Sequence, residues 1–442
     1  MRPAQLLRWF LLAILAIGLA GWIISGSPLY ARVAYLALLL LLGGALWAAF
    51  SIRGIRLRRE ARTLRASMGE VFEEHFEVLN TTWPGVLWLE VVNRSALPTV
   101  SGASSGSRLL TRIGPHQRRF YTTRTLLTRR GAFQLGPTDA RTGDPLGLFS
   151  ARRTLPAGET LVVLPLTVRI STFPPPPGIL AGGKSIQRKT MDVTPHAAGV
   201  REYVPGDPMK RIHWPTTAHR DRFMVKEFEQ DPQSDIWFFL DAQREVQLLS
   251  REGETVVEDE NWWLRRLKVS LPRDTFEYAI SVTASLARFF LNEKRAVGLA
   301  CAAGRLTVLA AERGVRQVGK VLETLAYLQP QGELPMLGLV GMQAKQLPPG
   351  SAAILVTPSV RPDLLLAVDD LQRRNLRPLV LLIRPETFGG SQDSQSLVSG
   401  LMNRDIPVCR IGYGDDLAAQ LALPAIYYQK PYRSGTSYFA RP

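Results

Sequence analysis

The chain has 442 residues, 54 Lys and Arg against 38 Asp and Glu, and a formal net charge of +16. Two cysteines far apart in apolar runs, Cys301 and Cys409, exclude a disulfide-built scaffold and read as reduced core residues. The basic balance would suit nucleic acid or anionic lipid, but no zinc-finger, ribonucleoprotein or basic-zipper pattern accompanies it, so nucleic acid is not an expected partner.

The first elements are two nearly uncharged runs, Leu6 to Ser25 and Val33 to Ile52, separated by SGSPLYAR. About 20 residues at about 1.5 Å each cross a hydrocarbon layer of about 30 Å, so both are read as spans of a cell-membrane protein. Arg2 precedes the first run and Arg8 stands at its start, and Arg53, Arg56, Arg58, Arg59, Arg62 and Arg65 follow the second; the connection carries only Arg32. Arginine excess marks the cytoplasmic side. The hairpin is therefore expected to have both ends inside and to leave the soluble domains in the cytoplasm. A signal peptide with residues 9–20 as its apolar region is the competing reading, but no convincing small-x-small cleavage site precedes the second run. Residues 1–66 are thus two spans plus a basic juxtamembrane segment.

Residues 67–172 read as a small β-sandwich-like domain. VLWLEVVN (Val86–Asn93) has the look of a strand, and turn signals recur at Ser101-Gly102, Gly114-Pro115, Arg130-Gly131 and Gly136-Pro137. Residues 173–200 form a Pro/Gly-rich linker that opens on FPPPPG. Beyond it, IWFFLD (Ile236–Asp241), AVGLACAA (Ala296–Ala303), AAILVT (Ala352–Thr357), PLVLLI (Pro378–Ile383) and PVCRIG (Pro407–Gly412) read as buried strands. Helical spacing lies between them, in Asp274–Lys294 with Asp274 as N-cap, around Val315–Leu325, and in Pro362–Arg374. Strands alternating with helices predict a mainly parallel, doubly wound, Rossmann-like sheet in residues 201–442. Residues 246–273, with Trp262 and Trp263, read as a surface insertion.

The densest segment is REYVPGDPMKRIHWPTTAHRDRFMVKEFE (Arg201–Glu229). Asp207-Pro208 predicts a helix start and Pro215 its end, with RFMVKEFE as a strand feeding the sheet. This string resembles the signature of the bacterial family called domain of unknown function 58, roughly R-E-Y-x-P-G-D-x-x-R-x-I-x-W, and RRGAFQLGPTDARTGDPLGLF (Arg129–Phe149) resembles that family's upstream segment. The resemblance implies a multidomain chain: a membrane hairpin, a β domain, and an α/β domain similar to von Willebrand factor A domains. It also implies a MoxR-type AAA+ ATPase and other membrane proteins as partners, and no established catalytic activity.

A von Willebrand-type domain holds Mg²⁺ through Asp-x-Ser-x-Ser, and hard oxygen ligands are what that ion requires. Here the run is Asp241-Ala242-Gln243-Arg244-Glu245, and the later strand end reads Thr357-Pro358-Ser359. Asp241, Gln243, Glu245 and Thr357 are therefore read as a degenerate site, with no metal and no cofactor. Gly178–Ser185 satisfies G-x-x-x-x-G-K-[ST], but four prolines stand where a buried strand is needed and no apolar helical face follows. His213, His219, Asp207 and Asp221 lack a zinc spacing. The expectation is a non-enzymatic, membrane-anchored interaction or scaffold protein acting in envelope-related assembly or quality control. Arg201, Glu202, Tyr203, Gly206, Asp207, Arg211, Trp214, Lys226 and Glu227 are its candidate partner surface. A metal-dependent ligand-binding domain and a P-loop nucleotide hydrolase are the alternatives.

Overall fold

A computed structural model describes residues 3–83, 85–97, 108–173, 197–205, 207, 209, 212–228, 235–249 and 270–422. The linker with its glycine-rich run and the Trp262-Trp263 part of the insertion lie outside these residues. The chain divides into two compact units, one holding residues 1–166 and the other most of the rest.

In the first unit, α1 (Pro3–Ser25) and α2 (Pro28–Arg53) form a helical hairpin, and both are long and apolar enough to cross a membrane. Small residues let the helices approach: a Cβ on Gly18 would press on the backbone and Cβ of Ala34, and Ala34 and Ala37 are buried.

The strands begin directly after α2, inside the stretch read as a basic juxtamembrane segment. In chain order they are β1 (Ile55–Ala61), β2 (Arg65–Ser67), β3 (Val71–Asn80), β4 (Val86–Asn93), β5 (Arg108–Ile113), β6 (Arg118–Leu126), β7 (Gly131–Leu135), β8 (Thr138–Gly143), β9 (Ser150–Leu155) and β10 (Glu159–Leu164). They pair as β1-β3-β6, β2-β10-β7 and β5-β4-β8-β9. Burial alternates along β3, where Phe72, Glu74, Phe76, Val78 and Asn80 share the inner face. Ile55, Val78, Val86, Leu89, Val91, Ile113 and Ala140 share one core, and Ile52 of α2 belongs to it. The end of α2 is fastened there too, because the Thr81 amide and hydroxyl both donate to the Gly54 carbonyl, at 2.8 and 2.9 Å.

This unit also buries polar groups. Asn93 donates to Glu74 at 3.1 Å, and Thr138 donates to Asn93; burial raises the Glu74 carboxyl above the usual range. Burial would raise Asp139 likewise, but the Thr154 hydroxyl and the Arg152 and Arg94 guanidinium groups outweigh it and hold that carboxyl low.

The second unit opens on an antiparallel ribbon of β11 (Ala197–Glu202) and β12 (Met224–Phe228), with the short helix α3 (Trp214–Arg220) between them. There follow β13 (Ile236–Leu240), α4 (Thr275–Asn292), β14 (Val297–Ala303), β15 (Arg305–Glu312), α5 (Val315–Tyr327), α6 (Met336–Gln343), β16 (Ala352–Thr357), α7 (Asp363–Arg373), β17 (Arg377–Ile383), α8 (Gln395–Met402), β18 (Val408–Ile411) and α9 (Leu417–Ala422). Six strands pair in the order β15-β14-β13-β16-β17-β18, all parallel except β15 at the edge.

Both faces of the sheet are covered, as the continuous apolar strands require. Trp237, Phe239, Leu355, Val380 and Leu382 share a core with residues of α6, α7 and α8. On the opposite face Phe238 meets Phe290 of α4 at 6.4 Å. Asp274 caps α4 by accepting from the Phe276 and Glu277 amides at 2.8 and 3.3 Å. Cys301 and Cys409 are buried free thiols, and burial pushes both up to about 12.

Two expectations about the Arg201–Glu229 segment are corrected. The described helix starts at Trp214 instead of ending near it, with Pro215 in its first turn and His213 as N-cap. A proline has no amide to contribute, so it fits the first turn, where amides lack helical partners in any case. Among the described residues the strand of RFMVKEFE pairs with β11, with one further bridge from Val225 to Ile212, and not with the large sheet; Arg201 and Glu202 are in register with Val225 and Met224.

Candidate functional site

Numbered from β13, the large sheet runs 3-2-1-4-5-6. In open α/β sheets the crevice for ligands lies at the carboxyl ends of the strands where this order reverses, here between β13 and β16. Asp241 follows β13 and Thr357 ends β16, so the two meet at that point. The Thr357 hydroxyl donates to Asp241 Oδ2 at 2.6 Å and accepts from the Ser359 amide at 2.9 Å. The Gln243 amide donates to Asp241 Oδ1 at 3.0 Å. Gln247 donates to the Asp241 carbonyl at 2.8 Å, and the Thr275 hydroxyl donates to Gln247.

Asp241 is buried, and burial pushes its carboxyl up to about 6 against the Thr357 and Gln243 hydrogen bonds. Gln243 Nε2 donates to Glu245 at 3.2 Å. A cavity of about 380 Å³ opens nearby, lined by Glu245, Ser359, Arg361, Ser391 and Gln392 among others, but neither Asp241 nor Thr357 lines it. Arg361 reaches Glu245 at 3.6 Å and Asp363 at 3.8 Å.

A Mg²⁺ ion does not fit these residues. Each Asp241 oxygen already accepts a hydrogen bond, and the carboxyl is buried and does not line the cavity. Gln and Glu replace the two serines and bond to each other, and the guanidinium of Arg361 stands at the mouth. Among the described residues no group of three or more His, Cys, Asp or Glu side chains could hold a metal ion. Arg361 was not singled out from the sequence. Its only signal there is a place just before the first turn of a helix that follows a buried strand.

The loop around Asp241 is closed by a tight backbone approach. Gly332 bridges Gln243, its amide donates to the Ala242 carbonyl at 2.9 Å, and a Cβ there would collide with the Ala302 carbonyl. Gly332→Ala is expected to lower stability by about 1–3 kcal/mol. Denaturant unfolding of the full chain checks this, with Gly341→Ala as the comparison that should lose nothing, since a Cβ there meets nothing and a helix interior favours alanine.

The candidate partner surface is the ribbon with α3. The Tyr203 amide donates to the Phe223 carbonyl at 2.8 Å and the two rings meet edge to face at 6.2 Å. Glu202 pairs with Arg222 at 2.9 Å on an exposed face, where such a pair contributes little. Asp207 does not cap a described helix; its carboxylate accepts from the Val204 amide at 3.0 Å and closes a turn. Gly206 and Arg211 lie outside the described residues. Arg201, Lys226 and Glu227 are placed only as strand positions, in which Val200 pairs with Lys226 and Gly199 with Glu227. His213 bonds the Thr216 hydroxyl at 2.7 Å, a local cap. Trp214 is 62% exposed, and Met209 and Phe223 are similarly open at 73% and 56%.

Residues 199–256 match the family described as protein of unknown function DUF58. The uncharacterized protein YeaD of Bacillus subtilis (strain 168) is 26% identical over 201 residues, which is 45% of this chain and 42% of that protein. The chain thus spans less than half of that relative's length. Both matches support the DUF58 family.

Among solved structures, the CARDB domain of the PF1109 protein from Pyrococcus furiosus shares 14% identity at a TM-score of 0.18, over 25% of this chain and 91% of that one. A GH20 exo β-N-acetylglucosaminidase from Vibrio harveyi shares 7% at 0.17, over 75% and 57%. At these scores neither likeness carries an argument.

Proposed function

We propose that this chain is a membrane-anchored, non-enzymatic interaction protein whose α/β unit is a von Willebrand A-like domain working without a metal. The strand order 3-2-1-4-5-6 with a single antiparallel edge strand supports the domain type. The observation that carries the interaction reading is the exposed apolar group on the ribbon and α3, where Val204, Met209, Trp214 and Phe223 stand open to solvent among charged neighbours. Exposed apolar side chains grouped within one short segment mark a contact surface. Family resemblance suggests a MoxR-type ATPase as the partner and an envelope-related assembly or quality-control role. The arginines flanking the hairpin favour a cytoplasmic position for both soluble units.

Since Trp214 is exposed, Trp214→Ala is expected to change unfolding stability by less than about 0.5 kcal/mol while weakening the partner contact. A photo-crosslinking residue at position 214 of the full chain, in native membranes, should capture an AAA+ ATPase, and Phe223→Ala should reduce that capture. Efficient capture at Val315, an exposed position on α5, with none at position 214 would remove the ribbon from the contact.

A further inference from the structure

The loop between β8 and β9 carries a second surface, independent of the ribbon. Asp144 shapes it: the fully buried carboxylate accepts from the Phe149 amide at 2.5 Å and from the Leu146 amide at 3.0 Å, and Gly147 turns with φ +69°. This fixed turn presents Leu146, which is 54% exposed, while Phe149 points back to the hairpin. A Cβ on Gly44 of α2 would sit 3.2 Å from the Phe149 ring, and the Arg8 guanidinium of α1 lies 5.3 Å above the same ring.

The level of this contact matters. Gly44 lies nine residues before the end of α2 at Arg53, which is about 13 Å along the helix axis. If the hydrocarbon reached Arg53, the loop and the Arg8 charge would both be deep inside it, and a guanidinium there is costly. Arg8 belongs at the headgroups, so the hydrocarbon ends near Gly44. The last turns of α2 are instead sheathed by β8 and β9, which is why Ala48, Ser51 and Ile52 are buried while Leu46 and Phe50, four residues apart on one face, remain open. Exposed apolar side chains at that depth meet the boundary between headgroups and acyl chains.

We infer that the Pro145–Phe149 loop is a third membrane contact, with Leu146 entering the lipid interface, so that the β unit is seated on the bilayer. The inference rests on reading α1 and α2 as membrane spans. The lipid surface is favoured over a second copy as the occupant because the loop is continuous with the hairpin at the level that Arg8 sets.

The test uses the full chain in vesicles of phosphatidylcholine and phosphatidylglycerol. Leu146→Cys is labelled with an environment-sensitive fluorophore and quenched by lipids carrying a nitroxide near the headgroup. Ile17→Cys, exposed in the middle of α1, reports membrane crossing, and Leu366→Cys, exposed on α7, reports water. Cys301 and Cys409 are buried and stay unlabelled.

Quenching at position 146 is expected to exceed that at position 366 by about twofold or more, as for a side chain at the acyl boundary. Quenching at 146 equal to that at 366, with Ile17 still quenched by nitroxides on the acyl chains, would overturn the loop contact alone. Position 146 unquenched but cross-linking to itself would show a second copy in place of lipid. An unquenched Ile17 would overturn the spans and this inference with them.

Discussion

Thr357→Val is expected to destabilise the α/β unit by about 2–5 kcal/mol at neutral pH, because two buried polar groups lose their partner and each such loss costs about 1–3 kcal/mol. The hydroxyl is fully buried, donates to Asp241 and accepts from the Ser359 amide. Valine keeps the shape and removes both bonds. The loss should shrink in acid, where a protonated Asp241 no longer needs a donor on each oxygen. Thr357→Ser retains the hydroxyl and should lose far less. Urea unfolding of the full chain in detergent, at acidic and at mildly alkaline pH, checks all three statements. Equal losses for Val and Ser would mean that only the methyl group matters.

The second large effect belongs to Asp241 itself. Its folded carboxyl titrates at about 6, against the ordinary value of 3.8, chiefly because it is buried. The folded state therefore holds this proton more tightly than the unfolded chain does. The resulting stabilisation is fully present below the unfolded value and is lost as pH rises through about 6. A gap of about two units corresponds to roughly 3 kcal/mol. Asp241→Asn removes this titration, so the stability difference between variant and wild type should move in the variant's favour by about that amount from acid to neutral pH. A difference that is flat across this range would show that Asp241 titrates as an ordinary carboxylate. Asp139 acts in the opposite sense, since its lowered carboxyl stabilises above the unfolded value and is lost as pH falls. Taking the difference between variant and wild type cancels its contribution.

The parts of this fold that could be read from sequence are those fixed by local chemistry. IWFFLD reads as a buried strand because all five strand residues are apolar, and the structure places it at the sheet's centre. Asp274 before a helical apolar face reads as a cap, and it caps. Asp241 follows one central strand and Thr357 ends its neighbour, which places both at the same carboxyl end of the sheet, and they bond to each other.

What sequence missed depends on contacts distant in the chain. Proline 215 is compatible with ending one helix or starting another, and pairing with β11 decides which. The arginines at 56 and 58 explain themselves as membrane flank, yet they alternate with Ile55 and Leu57 along β1, which pairs with β3. The edge strand β15 has a half-exposed alternation that periodicity alone assigns to no particular sheet. Arg361 becomes part of the site only because the loop after β16 folds over the loop after β13.

Whether the switch-point carboxylate serves the fold or a metal ion is decided by carboxyl-carbon NMR titration of Asp241. The full chain in detergent would be titrated once in Mg²⁺ and once in EDTA, with Asp241→Asn to assign the signal. One inflection near 6 is expected in both titrations. A saturable Mg²⁺-dependent fall of that inflection below about 4, as a bound cation imposes on a ligating carboxylate, would contradict it.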